Sequence, residues 1–286
     1  MKTKILLIAT IFALITVSCT KDKENENSAL SVEETVIDVK IDGASDDISK
    51  TIDTQLTPEE GFSARDAFGT EGFNPQCAVV TRVPAFGTIL TPGTVVTKTI
   101  NFGTIGCVMP NGSVLKGKII ISFTFSPLAP TQTINYVFEN FYHNATKFEG
   151  NRSFTRTMTV GTIGNPAHPI VTMNMNMTIT FSNGAVVQRT GTRTREIIAG
   201  FLTPMPFDNV FKITGNWTTT LPNLSVKIST ITTPLIIKAN CSNIVEGVIT
   251  FVRNGNTATL DYGNGTCDNQ AIFTKNGVST TITLGN

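Results

Sequence analysis

From about Cys77 to the C-terminus, apolar and threonine-rich positions alternate with polar ones at a period of two. The runs Thr94 to Phe102, Lys118 to Phe125, Thr133 to Phe141, Ile170 to Phe181, Val210 to Thr220 and Ile244 to Arg253 all carry the pattern. Successive side chains of an extended chain point to opposite faces, so this alternation predicts half-buried strands. Asn-Gly pairs at 111–112, 183–184, 254–255 and 276–277 stand between such runs, and Asn-Gly suits the two positive φ angles of a type I′ hairpin turn. The chain therefore reads as a sequential antiparallel meander of roughly twelve strands, more than a flat sheet tolerates. The expected fold class is all-β: a large antiparallel β-meander over residues 71–286, curled into a sandwich or half-barrel and preceded by a short helical segment.

That segment is assigned to residues 31–70. Ile48, Ile52 and Leu56 recur at four-residue spacing after Ser45-Asp46-Asp47, residue types that cap a helix start, and Pro58 and Gly61 close the stretch. One or two short helices are expected between about Ser31 and Leu56, packed on an edge or face of the sheet. A partner-binding amphipathic helix is the functional alternative.

The N-terminus has a different pattern again. Lys2 and Lys4 precede an apolar run from Ile5 to Val17, the size of a signal-peptide core and short for a membrane span. It ends in Thr16-Val17-Ser18-Cys19, which puts a cysteine where lipoprotein processing needs one, although Thr16 stands where Leu is usual. Residues 1–18 are therefore read as a cleaved lipoprotein signal and Cys19 as the lipidated residue, palmitate being one of its acyl chains. Residues 19–30 open with Thr-Lys-Asp-Lys-Glu-Asn-Glu-Asn, which has nothing apolar to bury and reads as a flexible tether. The expected location is the outer membrane, on its periplasmic or cell-surface face.

Charge narrows the partners. The chain carries 22 Lys and Arg against 21 Asp and Glu, and loss of the signal with its two lysines takes the formal charge from +1 to −1. Neither nucleic acid nor an anionic surface is implied. Only 15% of residues are charged, so Thr, Asn and Ser must supply most of the polar surface, as suits a secreted sheet protein.

Cys77 and Cys107 are equidistant from residue 92 in Thr91-Pro92-Gly93, and Cys241 and Cys267 from Asn254 in Asn254-Gly255. Residues equidistant from a hairpin turn face each other across an antiparallel ladder. Disulfides 77–107 and 241–267 are expected, each stapling the open end of a hairpin. Bulges shift such a register, and a 107–267 bridge is an alternative.

The two hairpins also echo each other: Thr99-Ile100-Asn101-Phe102-Gly103 leads to Cys107, and Thr259-Leu260-Asp261-Tyr262-Gly263 leads to Cys267. With Cys107-Val-Met-Pro-Asn-Gly, Gly117-Lys118-Ile119-Ile120-Ile121 and Gly265-Thr266-Cys267-Asp268-Asn269, these residues resemble uncharacterised envelope lipoproteins of the Bacteroidota, of flavobacterial type. The resemblance covers most of the chain after the signal and implies the lipoprotein character; its motifs specify turns and staples and imply no activity. A charged stretch after the lipidated cysteine resembles the surface-export signal of the same group.

Candidate chemistry is sparse. The two histidines, His143 and His168, are not at metal-ligand spacing with Cys, His or a carboxylate. There is no Gly-x-Ser-x-Gly elbow, and glycosidase-type carboxylates are scattered among Glu139, Glu149, Glu196, Asp208, Glu246, Asp261 and Asp268. Asp261 to Asn269 gathers oxygen donors but lacks calcium-loop spacing, and Met173, Met175 and Met177 on one strand face read as core before copper ligands. Arg189, Arg193 and Arg195 share one face of a strand whose other face is Thr190, Thr192 and Thr194. That strand reads as a protected edge or rim, or as an anion-binding site for a glycan or lipid headgroup.

No cofactor or metal is implied. The expected function is that of a lipid-anchored envelope protein with a non-catalytic binding or structural role, its partner a glycan, a lipid or an envelope protein. The alternatives are a carrier of a lipid or other hydrophobic ligand in a concave sheet, and a glycan-acting enzyme. Tyr136, Phe138 and Tyr142 on one strand face, with Phe141 on the other, bear on the carrier: an unfilled groove lined by rings favours it, a packed interior favours the binding module.

Overall fold

The computed structural model describes residues 30–56, 77–109, 111–164, 166–201, 203 and 208–284. The signal, Cys19 and most of the tether lie outside the described residues, as do residues 57–76 with Pro58 and Gly61.

One 14-stranded antiparallel sheet follows one helix. The helix α1 is Val32–Asp53. The strands are β1 (Val79–Val83), β2 (Val95–Asn101), β3 (Cys107–Val108), β4 (Val114–Thr124), β5 (Thr131–His143), β6 (Thr146–Met158) and β7 (Pro169–Thr180). They continue as β8 (Val186–Ala199), β9 (Val210–Thr220), β10 (Val226–Lys238), β11 (Glu246–Arg253), β12 (Asn256–Asn264), β13 (Gln270–Lys275) and β14 (Val278–Thr283). Each pairs with its neighbours in chain order, save that β2 and β3 both pair with β4. The meander is thus observed, and it stays open, with β1 and β14 as its edges. Side chains of α1 and the Gln55 carbonyl of the turn after it meet residues of strands from β2 to β12. A helix of 22 residues is about 33 Å long, so the sheet reaches it from so many strands only by curling around it as a half-barrel.

The helix is one piece. Ser31 caps it, its Oγ accepting from the Glu34 N–H at 3.2 Å, and Glu33 and Glu34 occupy the first turn where the helix dipole favours acids. Ser45-Asp46-Asp47 lie inside the helix and cap nothing. The Ser45 hydroxyl donates back to the Ile41 carbonyl at 2.7 Å, and Ser49 and Thr51 do the same one turn on, which satisfies hydroxyls that have little access to water. Ile41, Ile48 and Ile52 are buried against the sheet.

Two of the four Asn-Gly pairs form the expected turn, with both residues at positive φ: Asn254 (47°) with Gly255 (79°), and Asn276 (51°) with Gly277 (76°). At 111–112 and 183–184 only the glycine is at positive φ, and the Asn side chain instead accepts from the N–H two residues on, Ser113 at 3.1 Å and Ala185 at 3.0 Å.

Both cysteine pairs are at disulfide distance, Cys77 with Cys107 (Cα–Cα 5.6 Å) and Cys241 with Cys267 (5.5 Å). The symmetry that suggested them is only approximate. Val79 faces Asn101, a ladder centred on residue 90 rather than 92, and a turn at Gly103–Gly106 inserts residues before β3 carries Cys107 back into line. Cys241 and Cys267 lie beyond a register shift near Glu246 and outside the strands. The echo between the hairpins is structural: Asn101 Oδ1 accepts from Gly103 N–H at 2.9 Å, and Asp261 Oδ1 from Gly263 N–H at 2.8 Å, the same side-chain-to-backbone contact in both.

A bulge corrects the aromatic assignment on β5. Asn140 sits at φ 47° opposite Gly117, where a Cβ would lie 2.0 Å from the Asn140 carbonyl oxygen. The extra residue flips the alternation, so Phe141 joins Tyr136 and Phe138 on the inner face. Phe138 and Phe141 stack at 5.0 Å.

Candidate functional site

The inner face of the sheet carries cations. On β8 the strand period puts Arg189, Gly191, Arg193 and Arg195 inward and the threonines outward. This is the central part of the sheet, between β7 and β9, and the edge or rim assignment of these arginines is wrong. Gly191 faces Trp217 on β9, where a Cβ would come 2.5 Å from the Trp217 Cα. Because position 191 has no side chain, the indole lies beneath both guanidinium groups, 4.2 Å from Arg193 and 5.3 Å from Arg189.

The anions these cations meet belong to the chain itself. Asp38 and Asp42 are one helical turn apart and so project from the same face of α1. Arg189 donates to both, to Asp38 Oδ1 at 2.6 Å and Asp42 Oδ1 at 2.5 Å. Arg193 Nη2 lies 2.7 Å from Asp42 Oδ1, and Lys227 on β10 pairs with Asp38 Oδ2 while resting over the Phe251 ring. One turn earlier, Glu34 receives Arg253 from the end of β11, with Nη1 to Oε1 at 3.0 Å. Arg195 completes the row over Phe211 at 5.3 Å.

The second half of the helix uses a different set. Asp47 Oδ2 accepts from Asn111 Nδ2 at 2.8 Å and Ser113 Oγ at 3.0 Å, and lies 2.8 Å from His143 Nε2. Burial pushes the Asp47 carboxyl up, but hydrogen bonds from His143 and Asn111, with the charges of His143 and Lys50, outweigh it and hold the group below its ordinary value. Arg152 is buried without a carboxylate among the described residues; it reaches Tyr136 Oη at 3.4 Å and Ser45 Oγ at 3.3 Å and lies over the Phe138 ring.

Beside the helix, at the C-terminal end of the meander, is a cleft of about 560 Å³. Asp42, Gly43, Asp46 and Lys50 of α1 form one wall, and residues 239–244, Tyr262 and Leu284 form the other. Burial raises the Asp46 carboxyl above its ordinary value, only partly offset by Lys50 and Arg193. Burial likewise raises the Tyr262 phenol, which stays neutral.

Other residues singled out in the sequence take structural places. His168 has contacts apart from those of His143: its Nδ1 is 2.8 Å from the Pro166 carbonyl, and its Nε2 is 3.2 Å from Glu196, whose carboxyl is held low first by Lys212. Met173, Met175 and Met177 are buried on the inner face of β7. Asp261 and Asp268 each accept from the N–H two residues on, Gly263 and Gln270.

Sequence reasoning missed the acids of α1. A signal was present: Glu34, Asp38 and Asp42 recur every four residues, a stripe one turn apart that can match a row of cations. No protein-family model, curated protein or solved structure matches the chain.

Proposed function

We propose that the chain is a lipid-anchored envelope protein, exported by residues 1–18, acylated on Cys19 and held at the outer membrane, with a non-catalytic binding or structural role. The observation that favours a binding or structural role over that of a carrier is the occupied interior. The concave face, where a carrier would hold a lipid, is taken up by α1 through Arg189, Arg193, Lys227 and Arg253. A hydrophobic guest would have to displace a charged helix and leave those cations without anions. Cysteine pairs at the open ends of the β1–β2 and β11–β12 hairpins support an oxidising compartment.

The test is metabolic labelling with radioactive palmitate in a Gram-negative host, followed by membrane fractionation. The wild-type chain takes up label and sediments with the outer membrane; Cys19→Ala loses the label and appears in the soluble fraction. Equal labelling of the two, or none in either, overturns the anchor.

A further inference from the structure

The 560 Å³ cleft beside α1 has an unmet hydrogen-bonding group in its wall. Tyr262 is 3% exposed and lines the cleft, where its hydroxyl can both donate and accept. The second oxygen of Asp42, Oδ2, is buried without a partner, and the half-buried Asp46 lies one turn on in the same wall. A buried polar atom is nearly always satisfied, so the open Asp42 oxygen at the cavity calls for a molecule that donates to it.

The charges decide its kind. Arg189 and Arg193 already face Asp42, and His143 faces Asp47. Asp46 has Lys50 one turn on, so the acids Asp38, Asp42, Asp46 and Asp47 are matched in number by Arg189, Arg193, Lys227 and Lys50. The cleft is therefore near neutral and is no trap for a cation or an anion. Asp46 and Asp42 call for donors, the phenol both donates and accepts, and Asn240, Ser242 and Asn243 add amides and a hydroxyl to the same wall. Ile237, Ile244 and Leu284 supply an apolar strip of the kind that packs on the C–H face of a sugar ring. The rim is fixed in advance: Cys241 is bridged to Cys267, and Asn243 Nδ2 donates to the Asp268 carbonyl at 3.1 Å.

We propose that this cleft binds an uncharged sugar, the size of a mono- or disaccharide unit of a glycan, with Tyr262 and Asp46 as its principal hydrogen-bonding partners. The volume falls within the range of small-molecule sites. The proposal rests on the binding role above but not on the lipid anchor.

The experiment is saturation-transfer NMR on the full chain, kept in a sugar-free zwitterionic detergent, with maltose, cellobiose and N,N′-diacetylchitobiose as probes and spermidine as a cationic control. Transfer to at least one saccharide is expected, with affinity falling about tenfold in Tyr262→Phe, which keeps the ring and loses one hydrogen bond. Asp46→Ala weakens binding at least as much, and Glu149→Gln, outside the cleft, leaves it unchanged. The proposal is overturned by no transfer to any of the three sugars, by equal binding in both cleft variants and the wild type, or by binding of spermidine alone. Failure of palmitate labelling would remove the anchor and leave this result standing.

Discussion

β4 and β10 carry similar alternating patterns and place them oppositely. On β4, Ile119 and Ile121 face inward and Lys118 and Ser122 do not, as hydrophobic patterning anticipates. On β10, Lys227 and Ser229 are inside, 1% and 0% exposed, while Val226 and Ile228 are 47% and 49% exposed. The strands differ in what they face. β4 belongs to the part of the half-barrel whose interior is built of Ile100, Phe141 and Phe148, whereas β10 lies opposite the Glu34, Asp38 and Asp42 stripe of α1. Alternation fixes which residues share a face; the partner across the interior fixes which face is inside.

The largest expected effect is on the charged side. Asp42→Ala leaves Arg193 and one arm of Arg189 buried without their anion, and should lower unfolding free energy by about 3–5 kcal/mol in urea titration. A loss under about 1 kcal/mol would mean the interior is wetter there than the packing implies. The aliphatic side gives the matching test: Ile119→Ala should lose about 2–5 kcal/mol through its cavity, whereas the same truncation at Ile228 should lose under about 1 kcal/mol. Equal losses would erase the contrast between the strands.

How much of this was legible follows from the same two strands. The meander, its curling and its hairpins were readable, because alternation and Asn-Gly turns are local signals. The cysteine pairs were readable because equal spacing from a turn is a local signal, and the residues inserted at Gly103–Gly106 offset the shifted centre of the β1–β2 ladder. The flip on β5 was not, since a bulge at Asn140 against Gly117 depends on two strands at once. The inward arginines and Lys227 were not, because a polar strand face reads as solvent until the helix opposite it is known.

Breaking Cys77–Cys107 with Cys107→Ser should cost about 2–4 kcal/mol in thermal or denaturant unfolding, since the bridge closes a long loop. Acid titration separates two neighbouring acids of α1. The Asp47 carboxyl is lower in the fold than its ordinary 3.8, so it binds its proton less readily folded than unfolded. Its contribution to stability is complete above that ordinary value and is lost as pH falls below it through the lower folded value. Asp46 has the opposite sign: its raised folded pKa makes protonation favour the fold, so stability recovers as pH falls through that value toward the ordinary one. Asp47→Asn should therefore flatten the acid end of the stability profile, and an unchanged acid limb would remove Asp47 from the account. The smallest effect belongs to the exposed Lys118–Glu139 pair at 2.6 Å, where Glu139→Gln should change stability by about 0–1 kcal/mol.

The central claim is that α1 is an interior element of the half-barrel, held there by its acids. Native-state hydrogen exchange tests it most directly. Backbone amides from Val36 to Thr51 should exchange as slowly as those of β8 and β9, and Asp42→Ala should speed both sets together. If the α1 amides exchange orders of magnitude faster while the strands stay protected, the helix is not part of the core and the account of the interior is wrong.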